Sequence, residues 1–453
     1  MRGIWLVLLA ALGIADLGAQ QAGADVSYFR EIRPIMQRAC QGCHQPAMKS
    51  SGLDVTRYES FAAGGNKGPA FKSGAPQESV VVAYLKGERQ PRMPLASAPL
   101  ADDQIELFRR WISSGAKDDT PPEARETAAL DKPPVYHLAP VITALAYSPD
   151  GSLVAVSGYR EVLLHKSDGS GIAGRLVGLS DRIQSLQFSR DGKLLLAAGG
   201  TPALFGEVEL WDVASRKLLH SVTLTNDTLF GASLSPDTTR VAVGCADNTV
   251  RIVDTAAGKE VLKITNHENW VLGTIFSVDG KRLVSVSRDQ AAKLTDAASG
   301  QFIENINALR GELAAIARHP TRDVILIGGT ERIPYLYTMD RSASMKIADD
   351  STLIRKFETQ DGAIFALAFS SDGSRIAVAG AADDVRVYQT ETGERTADCK
   401  GHKGTYALAF SPDGEQLATG GFDGKVRICE VKSGKLVRDF VPVPVETQAA
   451  GAR

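Results

Sequence analysis

Cys40-Gln-Gly-Cys43-His44 is the run in this chain best equipped to do chemistry. Two thiols at that spacing can each close a thioether on one vinyl group of a porphyrin. The adjacent imidazole then stands where it can bind the iron. The pattern therefore predicts one covalently attached haem c, with Cys40 and Cys43 as its anchors and His44 as an axial iron ligand. A thioether on the opposite face would saturate the iron and raise its reduction potential. Met48 follows His44 by only four residues, too few to carry the chain around the ring, so it is expected to pack or lie at the surface. Met93 follows by 49 residues, inside Gln90-Pro-Arg-Met-Pro94, where flanking prolines stiffen an extended loop. Met93 is the expected second axial ligand, and Met36, before the motif, is expected in the core.

Other chemistries need residues that this segment lacks. A zinc site calls for two further ligands at suitable spacing, and the chain has no second Cys-x-x-Cys. A thioredoxin-like dithiol calls for a βαβ context, whereas the flanks here read as helix and loop.

Haem attachment through cysteine implies export, and the N-terminus reads accordingly. Arg2 precedes an apolar stretch of about eleven residues, the length of a signal-peptide core rather than a bilayer span. Ala22-Gly-Ala24 has the form of a cleavage site. Residues 1–24 are thus expected to be a leader, which places an exported bacterial protein in the periplasm or another extracytoplasmic space. No later stretch approaches a membrane-spanning length, so no stable insertion is expected after cleavage. A net charge of -2 offers no basic surplus for nucleic acid. Cys245, Cys399 and Cys429 are scattered through apolar runs and read as small buried hydrophobes rather than a disulfide framework.

The motif needs helices to hold it. Pro34 can open a helix that runs through Ile35, Met36 and Ala39 directly into Cys40. Asp102 or Asp103 can cap a second helix with Ile105, Phe108, Trp111 and Ile112 on one side, stopped by Gly115. These two would pack across each other and close a haem crevice. The segment resembles the planctomycete-type cytochrome c domain through Phe29-Arg-Glu-Ile-Arg-Pro-Ile35, the Cys40 to His44 motif, Gly52-Leu-Asp54, Gly64-Gly65, Lys72-Ser-Gly74, Arg92-Met-Pro94 and the final helix. The resemblance covers most of residues 27–117 and also implies Met93 as the distal ligand. Where that family often has a second proline after Met-Pro, this chain has Leu95.

Beyond residues 118–135, a polar, Pro-containing stretch of linker composition, the chain repeats itself. Ala144-Leu-Ala-Tyr-Ser-Pro-Asp-Gly151 returns as Ser185-Leu-Gln-Phe-Ser-Arg-Asp-Gly192 and again, last, as Ala407-Leu-Ala-Phe-Ser-Pro-Asp-Gly414. The turn aspartates 150, 191, 237 and 279 are 41, 46 and 42 residues apart, and Asp372 and Asp413 are 41 apart. A weaker copy, Ala314-Ala-Ile-Ala-Arg-His-Pro320, fills the long gap. Seven units at this period predict a seven-bladed propeller of four-stranded sheets over 136–445. In each turn Pro presets φ and Gly accepts positive φ. The repeats resemble the WD40 family over 141–441, although only Trp211-Asp212 keeps the name-giving dipeptide. His267 with Asp289, and His402 with Asp423, are expected to brace blades by hydrogen bonds. Whether Leu436 to Phe440 or the segment near Val135 supplies the last outer strand is open, and His137, His165 and His220 read as surface or turn residues.

The expected architecture is a small all-α cytochrome c-like domain over 25–117, followed by an all-β seven-bladed propeller. With iron held by His44 and Met93, no position is left for substrate. This favours an electron-transfer protein over a catalyst, with the propeller as docking platform for a redox partner, another protein or a polymer. The alternatives are an oxidoreductase whose propeller holds substrate, and a haem-based sensor or scaffold in which Met93 dissociates.

Overall fold

A computed structural model of the chain describes residues 26–46, 48–95, 98–121, 132–340 and 348–446. The expected leader lies outside the described residues, as do residues 122–131 of the expected linker.

From Leu145 onward the chain forms seven four-stranded antiparallel sheets, each built from four consecutive strands. Blades 1 to 7 span 145–177, 182–225, 229–264, 271–305, 313–356, 364–400 and 405–440. The middle strands are apolar on both faces because each sheet is sandwiched between its neighbours. Leu153–Ser157 and Arg240–Cys245, for example, are buried at every position after the first. The buried clusters accordingly lie between blades, as where Ala155 and Leu164 of blade 1 meet Leu186 and Leu195 of blade 2.

The repeated turn has a specific hydrogen-bond grammar. In blade 1 the Ser148 hydroxyl donates to Asp150 Oδ1 at 2.5 Å, and the same carboxylate accepts from the Ser152 N–H at 3.0 Å. Ser148 Oγ in turn accepts from the Leu153 N–H at 2.9 Å, closing the turn onto the next strand. Serine–aspartate pairs 189/191, 235/237, 277/279, 370/372 and 411/413 repeat the arrangement. Gly151, at φ 72°, supplies the left-handed residue, and Thr238 tolerates φ 61° where blade 3 lacks the glycine. The weak copy in blade 5 solves the same problem with a ring: His319 Nδ1 accepts from the N–H groups of Thr321 and Arg322 at 3.3 and 3.2 Å.

Leu436–Phe440 is the outer strand of blade 7, which settles the question of the last strand. The incoming segment closes the ring differently. The Ile142 N–H donates to Gly421 O at 3.1 Å, and Tyr136 forms a parallel bridge with Val445. Beneath them Tyr136 Oη donates to Glu161 at 2.7 Å, and Arg175 joins the same carboxylate. His165 is a correction: it is buried, with Nε2 2.8 Å from Pro442 O and its ring 5.3 Å from that of Phe440, because the returning C-terminal segment covers it. His267 and His402 do brace their blades. His267 bridges Asp289 and Ser285, both at 2.7 Å, and His402 bridges Asp423 at 2.7 Å and Thr419 at 3.0 Å.

Cys399 and Cys429 are a second correction. They form a disulfide across 30 residues, joining the outer strand of blade 6 to the third strand of blade 7. Both cysteines are buried, and the spacing between them carries no signal because the contact exists only once two blades are packed. Cys245 remains a buried free thiol, as expected.

The N-terminal unit is a set of short helices: α1 (Arg33–Ala39), α2 (Tyr58–Ala63), α3 (Val80–Lys86) and α4 (Asp102–Ser113). Its core gathers Ile32, Ile35 and Met36 against Phe61, Phe108, Trp111 and Ile112. Trp111 is stacked on Phe61 at 6.2 Å and donates its indole N–H to Lys117 O at 3.0 Å. Asp102 and Asp103 lie in the first turn of α4 rather than at its cap. Ala101 holds the cap position, and its N–H donates to Gln104 Oε1. α2 and α3, six and seven residues long, are too short to show helical periodicity in the sequence. No helix among the described residues is long and apolar enough to cross a membrane.

Candidate haem site and its seat on the propeller

The approach to the motif is capped on both sides. Ser27 Oγ accepts from the Arg30 N–H at 2.9 Å, and Glu31 accepts from the Ser27 N–H at 2.7 Å, fixing a π-helical turn that leads into α1. Pro34 sits in the first turn of α1, where its missing N–H costs nothing. The helix ends at Cys40, whose N–H still donates to Met36 O at 2.9 Å. One further turn follows, with the N–H groups of Cys43 and His44 both reaching Cys40 O, at 3.2 and 3.1 Å.

His44 is oriented by what surrounds it. Its Nδ1 lies 3.0 Å from Ser50 O, which makes Nδ1 the protonated nitrogen and leaves the Nε2 lone pair for a metal. Burial holds the imidazole below its usual range, so it is neutral at pH 7, as an iron ligand must be. Cys40 and Cys43 are free thiols and do not pair with each other. Burial pushes the Cys40 thiol up to about 12 and that of Cys43 upward as well. A reactive redox dithiol needs the opposite shift. Two unpaired thiols beside an imidazole whose Nε2 is left free are a donor set that fits covalent attachment of a haem.

Met93 packs partly buried against the same apolar cluster as Cys40, and its N–H donates to Tyr84 O at 3.1 Å. Arg92 adds a bond from Nε to Leu85 O at 3.2 Å, so the end of α3 holds this loop as well as its prolines. Met36 is 1 % exposed in the core, as expected. Met48 points elsewhere: it packs on the propeller, against the cluster between blades 1 and 2.

That contact is part of a direct seat for the motif on blade 2. The middle residue of the run, Gly42, faces the backbone of Ser221 so closely that a Cβ there would lie 2.4 Å from Ser221 O. Glycine is therefore required by close approach, since no side chain fits between the two backbones. Gln45, fully buried, donates from Nε2 to Gly42 O at 3.2 Å and stiffens the turn.

Directly behind Ser221, the strand Phe205–Asp212 buries two carboxyls that the sequence reading passed over. Glu207 accepts from Ser180 and Ser221 hydroxyls at 2.7 and 2.6 Å, and Glu209 accepts from Trp211 Nε1 at 3.0 Å. The signal was the Glu-x-Glu spacing in a strand, which puts both side chains on one face. Burial, reinforced for Glu209 by the charge of Glu207, raises both above the usual carboxylate range, Glu209 from 4.5 to about 8. A raised folded-state value means that the native state binds the proton more tightly. Stability from this site is therefore full below the unfolded value and is lost as pH climbs through about 8. Chemical denaturation at a series of pH values is expected to show stability falling progressively as pH rises across that range. Glu209→Gln should flatten the slope; an unchanged slope would remove the pair as its source.

Comparison with known proteins divides the chain in the same way. Residues 40–95 match the family model for planctomycete cytochrome C. Residues 217–254, 258–296, 351–389 and 393–430 match the model of the WD domain, G-beta repeat. Among curated proteins, Coronin-7 of Bos taurus is 34% identical over 153 residues, which is 31% of this chain and 16% of that protein. The chain thus spans about a sixth of the length of the relative it matches. The two family matches together describe a haem-binding propeller protein.

Proposed function

We propose that this chain is an exported electron-transfer protein carrying one haem c on Cys40 and Cys43, with His44 and Met93 as axial ligands. The haem, once attached, supplies reversible one-electron chemistry at its iron. The chain's own residues do the rest. Cys40 and Cys43 anchor the ring, Ser50 fixes the tautomer of His44, and the Tyr84–Met93 bond holds the thioether loop against the apolar cluster that excludes water. The observation that carries this reading is the orientation of His44 by Ser50 beside two unpaired thiols. The separate fates of the two methionines support it: Met48 packs on the propeller and Met93 on the core beside Cys40. The Cys399–Cys429 bridge suits an oxidising compartment, in keeping with export to the periplasm. In this reading residues 25–117 are a cytochrome c-like domain and the propeller offers the docking surface for a protein partner.

Met93→Ala tests the ligand set. The ferric wild type is expected to show the weak long-wavelength band of a methionine–iron bond, and the variant is expected to lose it, to bind carbon monoxide when reduced and to fall in potential. An unchanged spectrum would leave covalent haem standing and remove Met93. A wild type that binds carbon monoxide readily would favour a sensor over an electron carrier.

A further inference from the structure

The residue just before the turn serine is apolar in six blades: Tyr147, Phe188, Leu234, Phe276, Phe369 and Phe410. In blade 5 the same position, ahead of His319, holds Arg318. Blade 2 departs from the repeat as well. Its turn has Arg190 where blades 1, 3 and 7 have Pro149, Pro236 and Pro412. The two departures meet, because both arginines line one cavity at the ends of the first strands of blades 2, 3, 4 and 5. It has about 60 Å³ of space, enough for a few water molecules or a small organic ion. Phe188, Leu234, Ile275 and Phe276 form its apolar walls, and no acidic side chain lines it among the described residues.

Arg318 is held in place but not satisfied. Its Nη1 donates to His319 O at 2.8 Å and to Pro320 O at 3.4 Å. Its Nε is buried with no hydrogen-bond partner, and Nη2 pairs with no described residue. Nε and Nη2 form the edge of the guanidinium whose parallel N–H groups match the two oxygens of a carboxylate. Burial and the nearby charge of Arg190 both work against the Arg318 cation, and Asp323 is the carboxylate that favours it. Both oxygens of Asp323 are already engaged, Oδ1 by the Val278 N–H at 2.6 Å and Oδ2 by Arg282 Nη2 at 2.7 Å. A guanidinium cannot shed its proton to escape this, so an unmet donor on it costs more than a neutral one.

We propose that this cavity binds a small free carboxylate, with its oxygens on the Nε–Nη2 edge of Arg318 and its short hydrocarbon tail against Phe188 and Phe276. Arg190, exposed at the rim, raises the local concentration of the anion. The walls select against phosphate or sulfate, whose further oxygens would face Phe and Leu side chains without partners.

Isothermal titration calorimetry on the full mature chain at constant ionic strength tests this, with propanoate as ligand and propionamide, chloride and phosphate as comparators. Propanoate should saturate at one ion per chain, and propionamide and chloride should give no saturable heat. Arg318→Phe installs the residue that four other blades carry and should abolish binding. Arg318→Lys keeps the charge without the fork and should weaken propanoate about tenfold. Circular dichroism and an unchanged melting temperature would show that each variant is folded. No saturable propanoate heat in the wild type, tighter binding of phosphate than of propanoate, or wild-type affinity in Arg318→Phe would each overturn the proposal. The measurement reads binding at the propeller alone, so it does not depend on which residues ligate iron.

Discussion

A chain in which Cys40 and Cys43 are both serine is expected to emerge from haem-maturation machinery with no covalently bound haem, while its propeller stays folded. Each thioether needs its own sulfur, and both sulfurs are free thiols, one at the end of α1 and one in the turn that follows it. A hydroxyl cannot replace them. Either single variant keeps one possible attachment and should retain a reduced fraction. The blades have buried clusters of their own, to which Cys40 and Cys43 do not contribute, so propeller unfolding should move by less than about 1 kcal/mol. Haem staining after denaturing electrophoresis reads the covalent bond directly, and circular dichroism reads the propeller. Stain retained in the double variant, or absent from the matured wild type, would end the haem reading altogether.

Removing the Cys399–Cys429 bridge should cost the propeller about 3–4 kcal/mol, the loop-closure value for a crosslink spanning 30 residues. The reason lies in the unfolded chain, which the crosslink deprives of conformations. In the native ring both cysteines are buried between blades 6 and 7, next to Leu417 and Val431. A Cys399→Ala, Cys429→Ala chain avoids leaving a buried hydroxyl unsatisfied, so it isolates the crosslink better than serine would. Reductant should lower the urea midpoint of the wild type toward that of this variant and leave the variant itself unmoved. Equal midpoints for all of them would mean that the bridge does not form in solution.

Much of the molecule is legible in the sequence alone. The haem motif is local: Cys40, Cys43 and His44 are neighbours in the chain, so one turn of backbone brings them together. The blades were legible for a related reason. Each is a meander of consecutive strands, and in six of the seven a Ser-x-Asp turn is closed by bonds within five residues. Repetition then multiplied a weak local signal seven times. The helix ending at Cys40 could be read because Pro34 and the apolar spacing mark it.

What the sequence could not carry are the contacts between elements far apart in the chain. The Cys399–Cys429 pairing depends on the register of one blade against the next. The burial of His165 depends on a strand passing under residues 277 positions away. The buried pair Glu207 and Glu209 looked like ordinary polar strand residues until blade packing removed their solvent. The seat of Gly42 on Ser221 joins segments separated by the whole linker. Covalent chemistry is specified by neighbours in sequence, because a bond to one cofactor needs only short reach. Burial, pairing across blades and the docking of the motif on the ring are settled by which surfaces meet once the chain has closed on itself.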